Sequence, residues 1–236
     1  MGQGLKSWSL SPSTLDDDFL AEFECVALAA SAQNTLSSFR FLTSRSWDPN
    51  YRYLLSFKQL KELEIQFSCG GGCSSRVDDG IIISLARAMP KLEILKIGGA
   101  PCGTATGATV NGLICLASRC PNLSKLRIHF QASSLIDAAT SAATPTTLDD
   151  GRIVRRKECA LTGLVVGETP IPAESALAVT LMLLRIFPRI LNVEYTDRKW
   201  KTVAETIEHF GRIGAFVHRS GKTNPSNIHL SIMTPP

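Results

Sequence analysis

A short phrase, Leu-x-x-Leu-x-Ile, recurs along this chain and limits what it can fold into more than any other feature. It reads Leu60-Lys-Glu-Leu63-Glu-Ile65, then Leu92-Glu-Ile-Leu95-Lys-Ile97, then Leu123-Ser-Lys-Leu126-Arg-Ile128. Looser copies run from Leu36 to Phe41, from Leu161 to Val166 and from Ile190 to Tyr195. The last four residues alternate apolar and polar, the period of a strand buried on one face. The first Leu turns in from the preceding bend. One such strand cannot hide its apolar face alone, but copies stacked at a period of roughly 20–50 residues share one continuous core. Each fully buried Leu or Ile then contributes about 1.5–3 kcal/mol.

A helical segment is expected before each of these phrases. After Val77-Asp78-Asp79-Gly80, the residues Ile81, Ile82, Leu85, Ala86 and Met89 are spaced as one helical face. Asp78 or Asp79 can cap that helix and Pro90 stops it. Thr109 to Gly112 leads into Leu113, Leu116, Ala117 and Cys120, stopped by Pro121. Ala173 to Ser175 leads into Leu177, Val179, Leu181, Leu184 and Phe187, stopped by Pro188. An earlier helix is expected over Phe19–Ala32, with Phe19, Phe23, Val26 and Ala30 on its face. The unit is helix, proline, strand, loop. It predicts an α/β leucine-rich-repeat solenoid of ribonuclease-inhibitor-like form, with parallel strands on the concave side and helices on the convex side. An ordinary α/β sheet is the alternative; the Pro-x-Leu-x-x-Leu-x-Ile sequence at fixed offset in two strong copies argues against it.

The expected organisation is an N-terminal tail over 1–14, a repeat domain over 15–219 and a disordered tail over 220–236. Gln131 to Asp150 is rich in Ala, Ser and Thr, so a flexible insertion is expected over 131–157. Its end carries Arg152, Arg155, Arg156 and Lys157, a solvated face or a patch for an acidic partner. Trp200, Val203, Ile207, Phe210 and Val217 form an amphipathic stripe, which predicts a capping helix over 197–219. Such a cap is needed because the last repeat would otherwise expose its core.

Composition excludes several classes. The 236 residues are 44% hydrophobic and 19% charged, enough to bury a core without a metal or a staple. A net charge of +4 and a pI near 8.7 fall short of the dense positive stripe of a nucleic-acid binder. The seven cysteines are odd in number and irregular in spacing, the usage of a reducing compartment. Cys115 and Cys159 sit in apolar runs and read as small buried hydrophobes. No signal peptide or bilayer-spanning run is found; the apolar stretch Ala176 to Leu184 is short and closed by Arg185 and Pro188. A cytoplasmic or nuclear location without membrane attachment is expected.

No catalytic apparatus is legible, and no cofactor or metal is expected. Cys69-Gly-Gly-Gly-Cys73 lacks two further ligands nearby for zinc and reads as a flexible loop. Gly221-Lys222-Thr223 imitates the end of a phosphate-binding loop, but Phe216 stands where a glycine is required. His129, His209, His218 and His229 stand beside no nucleophile motif. Asp16-Asp17-Asp18 favours the start of the following helix electrostatically.

The segments Val77 to Ile97 and Leu113 to Phe130 resemble the repeats of F-box/leucine-rich-repeat proteins, in the form of their fungal group. The stretch Gly167 to Ser175 belongs to the same resemblance, which covers roughly residues 57 to 205. It implies a protein-interaction scaffold that recognises the substrate of a ubiquitin ligase. The first fifty residues hold no F-box of Leu-Pro-x-Glu type. The Skp adaptor is therefore an expected partner only if an F-box is supplied elsewhere. An α/β enzyme would instead need a polar catalytic cluster at its strand ends, and a truncated product without independent function would be poorly soluble.

The polar positions of the strand phrases give the candidate binding residues. They are Arg40, then Glu62, Glu64 and Gln66, then Lys96, then Lys125, Arg127 and His129, then Asn192 and Glu194. Ile94, Gly163 and Val165 fall on the same positions. Two middle strands thus present Lys96, Lys125, Arg127 and His129 together, flanked by Glu62, Glu64 and Glu194. Ammonium and guanidinium groups make charge-assisted hydrogen bonds, so an acidic or phosphorylated protein segment is the expected target.

Overall fold

The computed structural model describes residues 6–10, 34–43, 51–67, 77–98, 107–140, 159–167 and 169–220. They form an α/β fold with a single seven-stranded sheet in chain order. The strands are β1 (Ser7–Leu10), β2 (Ser38–Thr43), β3 (Glu62–Phe67), β4 (Ile94–Ile97), β5 (Lys125–Arg127), β6 (Gly163–Gly167) and β7 (Asn192–Tyr195). Every neighbouring pair is parallel. The helices are α1 (Tyr51–Leu54), α2 (Asp79–Ala88), α3 (Val110–Arg119), α4 (Ala132–Thr140), α5 (Ala176–Ile186) and α6 (Lys201–Ser220).

The register answers to the recurring phrase. Trp8, Phe39, Leu63, Leu95, Leu126, Leu164 and Val193 are partners across all seven strands. From Phe39 onward each of these is at most 4% exposed. The anchors that open the phrases, Leu36, Leu60, Leu92, Leu123, Leu161 and Ile190, are at most 1% exposed. An anchor this deeply buried leaves the residue after it at a sharp bend. There the backbone repeats one device: the carbonyl of that residue accepts from two consecutive amides of the next strand. Ser37 accepts from Lys61 and Glu62, Lys61 from Glu93 and Ile94, and Glu93 from Ser124 and Lys125, at 2.7–3.2 Å. Ser124 and Thr162 do the same for the strands that follow.

The proline rule holds locally for a plain reason. Met89, Cys120 and Phe187 are the C-caps of α2, α3 and α5, and each is followed by a proline that has no amide to continue the helix. The anchor three residues on then donates back to the cap carbonyl, as Leu92 does to Met89, Leu123 to Cys120 and Ile190 to Phe187. Leu60 makes the same turn onto Phe57, although Lys58 stands in the proline's place.

Asp78 caps α2, as one of the two expected aspartates, by accepting from the Ile81 amide at 3.0 Å. Cys120 and Cys159 are buried thiols whose Sγ atoms donate to carbonyls of the preceding unit. Cys120 reaches Met89 at 3.6 Å, and Cys159 reaches Cys120 at 3.6 Å. At the C-terminal end α6 packs on β7 and α5. Trp200, Val203 and Ile207 are fully buried there. Trp200 Nε1 donates to the Thr169 carbonyl at 2.6 Å, and the indole meets Phe130 edge-on at 5.8 Å.

Four expectations need correction. Ser7–Leu10, assigned to a tail, is strand β1; Leu5-Lys-Ser-Trp8-Ser-Leu10 is a further copy of the phrase with Trp in its fourth place. Residues 132–140, assigned to the flexible insertion, form helix α4. Alanines favour the helix, Ala132 and Leu135 are buried, and α4 packs on α5. On α5 the buried face is Ala176, Val179, Thr180, Met182, Leu183 and Ile186, whereas Leu177 and Leu181 point out at 63% and 53% exposure. Phe210, placed on the capping stripe, is half exposed. The helix expected over Phe19–Ala32, the Asp16–Asp18 run, the Cys69–Cys73 loop, the run Arg152–Lys157, His229 and the tail from 221 lie outside the described residues, as does the side chain of Val217. None of the described helices is long and apolar enough to cross a membrane.

Candidate functional site

Parallel pairing in register turns alternate strand positions into rows that cross the sheet on the face away from the core. One row is Arg40, Glu64, Lys96, Arg127, Val165 and Glu194. The row beside it is Ser38, Glu62, Ile94, Lys125, Gly163 and Asn192. Gln66 lies further along β3, opposite Leu42, and His129 follows the end of β5. The sheet therefore brings the ten candidate residues to one face, all exposed or half-buried.

The two halves of that face differ in their electrostatics. Over β2–β4 the two cations of these rows, Arg40 and Lys96, are both paired. Glu64 is paired with Arg40 at 3.3 Å and with Lys96 at 3.6 Å, and it accepts from Gln66 Nε2 at 2.7 Å. Glu62 accepts from the Ser38 hydroxyl at 3.2 Å. The Glu64 side chain at the centre of these contacts is 15% exposed. At the edge of the face, Glu93 hydrogen-bonds the Lys61 ammonium at 2.8 Å and holds it above its ordinary range.

Over β5 the picture changes. Among the described residues, neither Lys125 nor Arg127 has an ion pair or a side-chain hydrogen bond. Glu194 on β7 is likewise unpaired among them. Between these strands, β6 presents Gly163, Val165 and Gly167, of which only Val165 carries a side chain. A Cβ on Gly163 would lie 3.8 Å from Cγ of Lys125, whose stem leans over it.

His129 is placed by two glycines that the strand phrase did not single out. Gly98 and Gly167 follow β4 and end β6, and both have positive φ, at 139° and 54°. A Cβ on Gly98 would come within 3.1 Å of the imidazole Cδ2, and one on Gly167 within 3.3 Å of Cε1. The ring thus sits in a slot between two backbones. The signal was present in the sequence: both glycines occupy the seventh place of their phrase, where a side chain would collide with His129. Among the described residues no three His, Cys, Asp or Glu side chains gather to hold a metal ion.

This arrangement offers recognition by charge over an area, with two cations that no described residue neutralises on β5 and an imidazole just beyond its end. No protein-family model matches the chain, and no curated protein matches it either.

Proposed function

We propose that this chain is a short leucine-rich-repeat solenoid whose exposed sheet face captures a protein partner. The role is that of the substrate-recognition repeats of the F-box ubiquitin-ligase receptors that it resembles. The observation that carries the reading is the division of charge on the face. Over β2–β4 both cations, Arg40 and Lys96, are neutralised by Glu64, while Lys125 and Arg127 stand without a partner among the described residues. A face whose charges served only solubility has no need of that division. In-register rows from successive strands also suit an extended contact, because equivalent positions on neighbouring strands lie about 4.8 Å apart. Membership of a ligase further requires the Skp adaptor, bound through an F-box supplied elsewhere.

The test is affinity capture from the native cell with two variants. Val165→Trp fills the floor at the middle of the face, and Leu181→Arg alters the outer side of α5. The reading expects Val165→Trp to lose the partner that the unaltered chain recovers and Leu181→Arg to keep it. Full recovery with Val165→Trp, in protein of unchanged circular dichroism, overturns it. Co-purification of the Skp adaptor separates a ligase subunit from a plain adaptor.

A further inference from the structure

Resting on the reading of the sheet face as an interface, we propose that the captured segment is an extended acidic peptide with carboxylates on alternate residues. It lies over β5 and β6, each facing carboxylate meeting one of Lys125, Arg127 and His129.

Three features define that ligand. The first is which cations are free. Arg40 and Lys96 are held by Glu64, at 3.3 and 3.6 Å, whereas Lys125 and Arg127 have no partner among the described residues. Binding a carboxylate at Lys125 or Arg127 breaks no existing ion pair. The second is space. Beside the basic row, β6 supplies Gly163, Val165 and Gly167, and on the other side Gly98 adjoins His129. Gly163 and the short Val165 leave room for a peptide backbone beside Lys125 and Arg127, whereas the space over Gly98 and Gly167 is filled by the His129 imidazole.

The third is spacing. Lys125, Arg127 and His129 are alternate residues of one strand course, so their stems emerge roughly 6.6 Å apart. An extended peptide repeats its facing side chains at the same interval. Three glutamates at alternate positions can therefore each face one basic group, with Arg127 able to hold its carboxylate in bidentate fashion. Three consecutive glutamates cannot, because the middle one points away from the sheet. Glu194, on β7 opposite Val165, repels a carboxylate displaced towards β7 and keeps the segment over β5 and β6.

The full chain is titrated with fluorescein-labelled peptides followed by anisotropy. One is Gly-Glu-Ser-Glu-Ser-Glu-Gly. A second has the same composition with its glutamates consecutive. A third carries a single phosphoserine and no glutamate. The alternating peptide is expected to bind about tenfold more tightly than the consecutive one, with the advantage shrinking as salt is raised. Lys125→Gln with Arg127→Gln is expected to erase the difference, and Arg40→Gln to preserve it. Equal affinity for the two glutamate peptides overturns the inference, and that comparison needs no variant. So does a phosphoserine peptide that binds as tightly as the alternating one. Equal peptide affinities together with loss of the native partner on Val165→Trp leave the interface standing without this ligand. Retention of the partner on Val165→Trp removes the interface reading itself.

Discussion

The carboxylate of Asp79 belongs to α2 but caps the neighbouring helix at Thr109. Its Oδ1 accepts from the Thr109 amide at 2.7 Å and from the Gly112 amide at 3.2 Å, while Oδ2 takes the Thr109 hydroxyl. Asp78 meanwhile caps α2 itself. Two adjacent aspartates therefore do different work, one within a unit and one between units. Asp79→Ala strands amides at the start of α3 and should cost about 2 kcal/mol in urea unfolding. Asp79→Asn, which keeps an acceptor oxygen, should cost less. A loss under about 0.5 kcal/mol for Asp79→Ala would show that the link carries nothing.

Glycine substitutions should separate sharply by position. A Cβ on Gly107 would lie 2.5 Å from the His129 carbonyl oxygen and 2.6 Å from Phe130 Cα. These are backbone atoms that cannot swing aside, so Gly107→Ala should destabilise by roughly 3 kcal/mol or more. At Gly163 the nearest atoms would be 3.8 and 4.0 Å away, and Gly163→Ala should be tolerated within about 0.5 kcal/mol. Thermal melts of the two variants decide the matter. Equal melting temperatures would mean that the approach at Gly107 is not as close as described.

The Cys120 thiol is pushed up to about 12 from 9.0, chiefly by burial, with Cys159 and Cys115 adding to it. Since the thiolate is the nucleophile, iodoacetamide at pH 8 should leave Cys120 unmodified in the folded protein and label it in urea. The folded state favours the neutral thiol. The stability this group contributes is therefore complete below pH 9 and is lost as the pH climbs from 9 towards 12. Rapid native labelling of Cys120, located by peptide mass, would contradict its burial.

Trp200 closes the C-terminal end of the core and is fully buried with a bonded indole nitrogen. Trp200→Ala should cost about 3–5 kcal/mol. Trp200→Phe keeps most of the apolar contact but leaves the Thr169 carbonyl without its donor, and should cost less, about 1–3 kcal/mol. If both variants melt together with the unaltered chain, α6 is not the cap it is taken to be.

The parts of this structure that could be read beforehand are those repeated in register. Leu63, Leu95 and Leu126 are neighbours because each stands at the same place in its phrase, and a slip of one residue would turn every one of them to solvent. The ten face residues followed from the same alternation. Outside the strand phrases single-sequence periodicity was a poorer guide. On α5 the run Leu177 to Leu184 is apolar on every side but for Thr180, so its pattern could not say which side met the sheet. Helix α4 was hidden by serines, one of which, Ser134, turns out to accept from the Val110 amide at 2.9 Å. The pairing of Glu64 with Arg40 and Lys96 was not legible either. It depends on which long side chains reach across strands, and register alone leaves that open.

The most direct test of the account is a photocrosslinking pair in the native cell. Benzoylphenylalanine is placed at position 165, on the exposed sheet face, or at position 181, among the exposed leucines of α5. The account predicts a protein adduct from position 165 and none from position 181. An adduct from position 181 alone would put the partner on the helices and contradict it.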